Sequence, residues 1–101
     1  MTWHDACDTV LPDGSVVEVS VESTFVAVAR AGDTWHAVEL WCTHAECPLS
    51  DGWVEGKALR CACHGALYDL DAGEPLEGPA EKPLRVFATR LRDGRVEVDV
   101  G

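Results

Sequence analysis

Apolar and polar positions alternate in short bursts along this chain. SVVEVSV at 15–21, TFVAVAR at 24–30 and TWHAVEL at 34–40 are rich in β-branched or aromatic residues and partly keep a two-residue period. Turn material such as Ala31-Gly32-Asp33 lies between them, so the pattern predicts antiparallel strands. LRVFATRL at 84–91 and RVEVDV at 95–100 repeat it, joined through Asp93-Gly94, a pair suited to a tight hairpin turn. No segment sustains the 3.6-residue apolar period of an amphipathic helix, which limits helix to a single turn near His4 to Thr9. The longest apolar run, FVAVA at 25–29, is far too short to cross a bilayer. The expected fold class is all-β, with several short strands forming a small barrel or sandwich.

The middle of the chain breaks this pattern. Residues 41–83 hold four of the five cysteines, four of the five prolines and five of the nine glycines, a composition of loops mounted on a scaffold, where sites usually sit. With 101 residues and 47% apolar content, the chain is expected to form one domain, 1–101. Residues 1–40 and 84–101 make its basal β scaffold, and 41–83 the region that carries chemistry.

Charge narrows the choice of partners. The net charge is −10, and residues 1–81 hold fifteen acidic and three basic side chains against three acidic and five basic in 82–101. This balance argues against nucleic acid. It suits docking on a positively charged protein surface, and serves solubility equally well. The first twenty-five residues carry acidic side chains and no basic leader, so the expected setting is cytoplasmic, away from membranes.

The candidate chemistry lies in CTHAEC, 42–47, and CACH, 61–64. Cys42 and His44 form C-x-H, and Cys61 and His64 form C-x-x-H, so two loops could close on one metal site with thiolate and imidazole ligands. Zinc takes its paired ligands at spacings of two to four residues, and the single residue between Cys42 and His44 is tight for that chelate. A plant-type ferredoxin needs C-x4-C-x2-C; Cys42 and Cys47 supply the first interval, but the next slot is Ser50. A [2Fe-2S] centre with two Cys on one iron and two His on the other is the third candidate.

In ligand type and spacing the chain closely resembles the Rieske family. The resemblance extends to LSDGWVEG at 49–56, the Gly78-Pro79-Ala80 loop, the opening CD…LPDGSVVEV and the ending PLRVFATRLRDGRVEVDV, all similar to soluble Rieske ferredoxins that feed ring-hydroxylating dioxygenases. It implies a Rieske-like fold of three small antiparallel sheets with a two-loop cluster-binding subdomain. It implies one [2Fe-2S] cluster, with Cys42 and Cys61 on the inner iron and His44 and His64 on the outer one. The implied function is one-electron transfer from a reductase to a terminal oxygenase, by a monomer with no substrate reaction of its own. The cluster potential is then expected to fall as pH rises, with His44 and His64 as the titrating groups.

Two features resemble a different branch, the Rieske proteins of cytochrome bc complexes. Cys47 and Cys63 match a pair that forms a disulfide between the cluster loops there, although disulfides are rare in the cytosol. In HGALYD, Tyr68 matches a tyrosine that donates to a Cys ligand, whereas Ala66 stands where that branch has a donating Ser. Keeping one donor and losing the other implies a potential in the lower half of the family range, about −150 to +300 mV. Gly65 permits close backbone approach or a positive φ, and Pro79 matches the proline of a loop that covers the cluster. Trp41 and Trp53 are expected as core or rim packing, His4 and His36 as surface or strand histidines, and Cys7 as a small buried residue. The rival readings are a Rieske redox subunit of another oxidoreductase complex, suggested by the Cys47/Cys63 pair, and a zinc-stapled interaction module.

Overall fold

The computed structural model describes residues 2–43, 46–63, 65–78 and 82–101. The described residues form ten strands: β1 His4–Asp8, β2 Val16–Val21, β3 Thr24–Ala31, β4 Thr34–Glu39, β5 Trp53–Glu55, β6 Ala58–Arg60, β7 Leu67–Asp69, β8 Pro75–Glu77, β9 Val86–Arg92 and β10 Arg95–Asp99. A 3-10 turn at Leu49–Asp51 is the one helical piece among them.

Strand β3 organises both cores because alternate side chains point to opposite faces. Val26 and Val28 pack with Val21, Ala37, Phe87, Val96 and Val98 on one face. Ala27 and Ala29 pack with Val38, Leu40, Leu49, Leu59, Tyr68, Leu70 and Leu84 on the other. The small alanines let the second layer approach closely. Each fully buried valine contributes roughly 1.5–3 kcal/mol.

The six-stranded sheet runs β1-β10-β9-β4-β3-β2, and its edge strands β1 and β2 come into contact, so it curls into a barrel around the first core. The four-stranded sheet β5-β6-β7-β8 covers the second core. The structure therefore has two sheets where three were expected. The units β1-β10-β9 and β2-β3-β4 fuse because β4 pairs with β9 at Ala37–Phe87 and Val38–Val86.

Other expectations also need correction. His4–Asp8 is a strand and not a helical turn. It pairs with β10, and the Asp5 carboxylate accepts two hydrogen bonds from the Arg95 guanidinium at 2.7 Å each, a contact between chain ends that no local pattern encodes. The region 41–83 contains the whole small sheet, whose strands are only three residues long. The strand expected from Leu84 starts at Val86, because the Leu84 N–H donates to Gly73 and its side chain enters the second core. Between β9 and β10, Asp93 and Gly94 take φ of 51° and 74°, the two left-handed residues of a tight hairpin turn. No helix among the described residues is long and apolar enough to cross a membrane.

Candidate metal centre

The two cysteine-bearing loops have the same backbone solution. Leu40 and Leu49, then Trp41 and Pro48, pair in a short stem, and the Cys42 N–H closes the first loop on the Cys47 carbonyl at 3.0 Å. Arg60 pairs with Leu67, and the Cys61 N–H closes the second loop on the Ala66 carbonyl at 2.8 Å. Within that loop the Gly65 N–H turns back to the Cys61 carbonyl at 3.1 Å, with Gly65 at φ 75°, a conformation glycine adopts without strain. Cys42 and Cys61 thus both sit where a strand-like stem opens into a loop, and both are buried.

The loops meet through sulfur. Cys47 and Cys63 are bonded to each other with Cα atoms 6.3 Å apart, within disulfide range. The Sγ atoms of Cys47, Cys61 and Cys63 lie within 4.8 Å of one another. Since two of these sulfurs are bonded together, the trio is not a three-thiolate site; it places the Cys61 sulfur beside the bond joining the loops. Of the remaining expected site residues, His44, His64 and Pro79 lie outside the described residues.

Tyr68, fully buried, projects from β7 so that its hydroxyl lies 3.0 Å from Cys42 Sγ. Burial first, and then the contact with Cys42, push the phenol up to about 12, so it keeps its proton at neutral pH. Facing a thiolate, a protonated phenol can only donate. The Thr43 N–H donates to the Tyr68 oxygen at 3.2 Å. The Thr43 hydroxyl lies 2.9 Å from that oxygen and donates to the Lys82 carbonyl at 2.8 Å. With its proton given to Lys82, Thr43 Oγ1 can only accept from Tyr68, so the single phenolic proton is divided between Cys42 Sγ and Thr43 Oγ1. The donor set fits an iron–sulfur group: buried sulfurs on two facing loops, one of them already met by a hydroxyl. Ala66 is buried and offers no hydroxyl.

Sequence reasoning missed two residues here, Thr43 and Arg60. Thr43 lies between the expected ligands Cys42 and His44 but acts through Lys82, 39 residues away. Arg60 precedes Cys61 and donates to the Gly65 carbonyl at 2.8 Å. Both act on backbone carbonyls, which no spacing rule reveals.

The tryptophans and lone histidines fall within expectation, and Cys7 is less buried than expected. Trp41 and Trp53 are 45% and 47% exposed, rim residues and not core. Cys7 is half-buried against the barrel core, and burial raises its thiol above the usual value. His4 and His36 lie in strands, 3.5 Å from Glu22 and 3.7 Å from Asp71 respectively; burial holds the His36 imidazole below its ordinary value.

Comparison with known proteins bears on what this arrangement holds. The family profile described as "Rieske [2Fe-2S] domain" matches residues 2–88. The anthranilate 1,2-dioxygenase ferredoxin subunit of Burkholderia cepacia is 37% identical over 101 residues, covering 98% of this chain and 93% of that one. A chain in the structure of a complex of reduced oxygenase and oxidized ferredoxin in carbazole 1,9a-dioxygenase superposes with a TM-score of 0.88 at 33% identity, covering 95% of this chain and 91% of that one. The ferredoxin of Sphingomonas yanoikuyae B1 superposes with a TM-score of 0.91 at 25% identity, covering 99% and 100%.

Proposed function

The chain belongs to the Rieske [2Fe-2S] family, and from that premise we propose that it is the ferredoxin of a dioxygenase-type system, carrying single electrons from a reductase to a terminal oxygenase. It is the electron-transfer component of that system and not its catalyst. Likeness to the anthranilate dioxygenase ferredoxin subunit over almost the full length of both chains is the observation that carries this reading. Family membership replaces zinc with iron and sulfide as the occupant of the two-loop site.

In this reading Cys42 and Cys61 hold the inner iron, and His44 and His64 the outer one. When bound, the cluster supplies a reversible one-electron couple. The chain's own residues set the conditions for it. The paired loops present two thiolates from one buried face, and the Tyr68 hydroxyl lowers the charge density on Cys42 Sγ. Burial excludes water from the sulfurs, while the Cys47–Cys63 bond restrains the loops against each other.

The docking surface is acidic and carries aromatic rims. Trp41 and Glu46 border a surface cleft of about 460 Å³. With a net charge of −10, the protein works as a cytoplasmic monomer that meets basic surfaces on both partners. Its rate of electron transfer to either partner should then fall as ionic strength passes roughly 0.1 M, where the screening length is about 10 Å.

The test is a reductive titration of the purified protein with iron and sulfide quantification. One electron taken up reversibly per pair of irons supports the carrier reading; iron-free protein, or no reversible one-electron uptake, overturns it.

A further inference from the structure

Arg60 lies at the end of β6, immediately before Cys61, with its side chain largely covered. Its guanidinium forms a fork. Nε and Nη2 donate to the two Glu55 carboxylate oxygens at 3.0 and 2.8 Å, and Nη1 donates to the Gly65 carbonyl at 2.8 Å while standing 3.4 Å from Glu77 Oε1. Glu55 is itself held from the other side by Trp53, whose indole N–H donates to Oε2 at 2.7 Å. The chain of contacts therefore crosses the small sheet from β5 to β8 and ends on one backbone carbonyl in the loop that carries Cys61 and His64.

We propose that Arg60 is a positioning residue for electron transfer, fixing the second cluster loop by holding the Gly65 carbonyl from a guanidinium that Glu55 and Glu77 clamp in place. The inference rests on the ligand assignment proposed above. Gly65 is the pivot of this loop: at φ 75° and without a side chain, its peptide plane is free to turn unless its carbonyl is held. In a trans peptide the carbonyl and the following N–H point to opposite edges, so holding the Gly65 oxygen also fixes the direction of the Ala66 N–H. Ala66 is buried, and its carbonyl closes the loop on Cys61. One guanidinium thus fixes the Gly65–Ala66 peptide and, at the carbonyl of Ala66, the closure onto Cys61. A bidentate carboxylate pair leaves the third nitrogen aimed in a single direction, a geometry that an ammonium cannot reproduce.

The test compares Arg60→Lys, Arg60→Met and Glu55→Gln with the parent, all purified with their iron. Iron content and the visible spectrum come first, since an iron-free parent contradicts the cofactor reading and not this inference. The midpoint potential and the electron paramagnetic resonance spectrum of the reduced protein then read the loop itself. The expected result for Arg60→Lys is retained iron with displaced resonance positions, broadened lines and a displaced potential, although the charge is kept. Arg60→Met should show the same spectral change with a lower potential than Arg60→Lys, because a positive charge near the site favours the added electron. Glu55→Gln, which leaves Arg60 in place but loosens its clamp, should move the spectrum in the same direction by less, and it keeps the test open if either Arg60 variant fails to fold. Iron release to a chelator should accelerate on the order of tenfold in Arg60→Lys, as expected for loss of one charge-assisted hydrogen bond. The proposal is overturned if Arg60→Lys and Glu55→Gln both reproduce the parent's spectrum and potential. It is equally overturned if the variants only melt earlier with both readouts unchanged, because Arg60 would then serve the fold alone.

Discussion

The two cluster loops share a backbone plan but are fastened by different chemistry. Each opens from a strand-like stem at a buried cysteine and closes by a hydrogen bond from that cysteine's N–H to a carbonyl five residues on. The first loop is then held by neutral hydroxyls: Thr43 reaches the Lys82 carbonyl, and Tyr68 reaches both Thr43 and Cys42. The second is held by a charge, the Arg60 guanidinium on the Gly65 carbonyl, with two carboxylates behind it. A neutral network can touch a ligand sulfur and tune it, whereas a charged clamp set back on the sheet acts through geometry. The disulfide joins the two systems, and each can be broken separately.

Breaking the joint has the largest effect. Replacing both Cys47 and Cys63 by Ala removes a cross-link between residues separated by 16 positions. Closing a loop of that size stabilises a protein by about 3 kcal/mol in the chain-entropy account. For a domain of this length the melting temperature should fall by roughly 10–20 °C in calorimetry, and adding reductant to the parent should reproduce much of that fall.

Next in size is Tyr68→Phe, which keeps the buried ring and removes the donor to Cys42. Loss of one hydrogen bond worth about 1 kcal/mol more in the reduced state should lower the midpoint potential on the order of 40 mV by voltammetry. The second loop should be unaffected.

Thr43→Val sharpens the contrast because its two consequences have opposite signs. It removes the tie to Lys82, so stability falls by about 1 kcal/mol in denaturant titration. It also removes the competitor for the phenolic proton, which then goes undivided to Cys42, so the potential rises by a smaller amount than Tyr68→Phe lowers it. A fall in potential for this variant would show that Thr43 does not compete for that proton.

Acid distinguishes the loops with the smallest effect. Hydrogen bonds from Arg60, and then from Trp53, hold the Glu55 carboxyl at about 2, below its ordinary value of 4.5. A carboxyl whose folded value is depressed contributes stability above its unfolded value, and that stability is lost as pH falls through the folded one. The Arg60 clamp should therefore weaken between about pH 4.5 and about pH 2, while the hydroxyl network on the first loop has no group titrating there. Asp5, held low by its hydrogen bond with Arg95, also loses stability in acid, so the comparison that isolates Glu55 is the slope of melting temperature against pH in Glu55→Gln, which should be shallower than in the parent. The carboxylate is exposed, and the difference will be small.

Local pattern was enough for the long strands. TFVAVAR and TWHAVEL announce β3 and β4 because period-two alternation and β-branching act within the segment, and Asp93-Gly94 announces its turn for the same reason. The strands of the small sheet are three residues each, too short for any period to register. His4–Asp8 became a strand through a partner at the other end of the chain, and two barrel units became one sheet through two residue pairs between β4 and β9. The site divides the same way. Cysteine and histidine spacing points to a metal because ligands must converge within a loop, but Thr43 and Arg60 work through carbonyls that only the folded chain brings within reach.

The central claim is that sulfurs of Cys42 and Cys61 and ring nitrogens of His44 and His64 hold one diiron unit. Pulsed electron paramagnetic resonance of the dithionite-reduced protein tests it most directly. The account predicts strong couplings from two imidazole nitrogens, one of them lost when either His44 or His64 is replaced. A reduced centre with no nitrogen coupling, or one whose couplings survive both replacements, would contradict it.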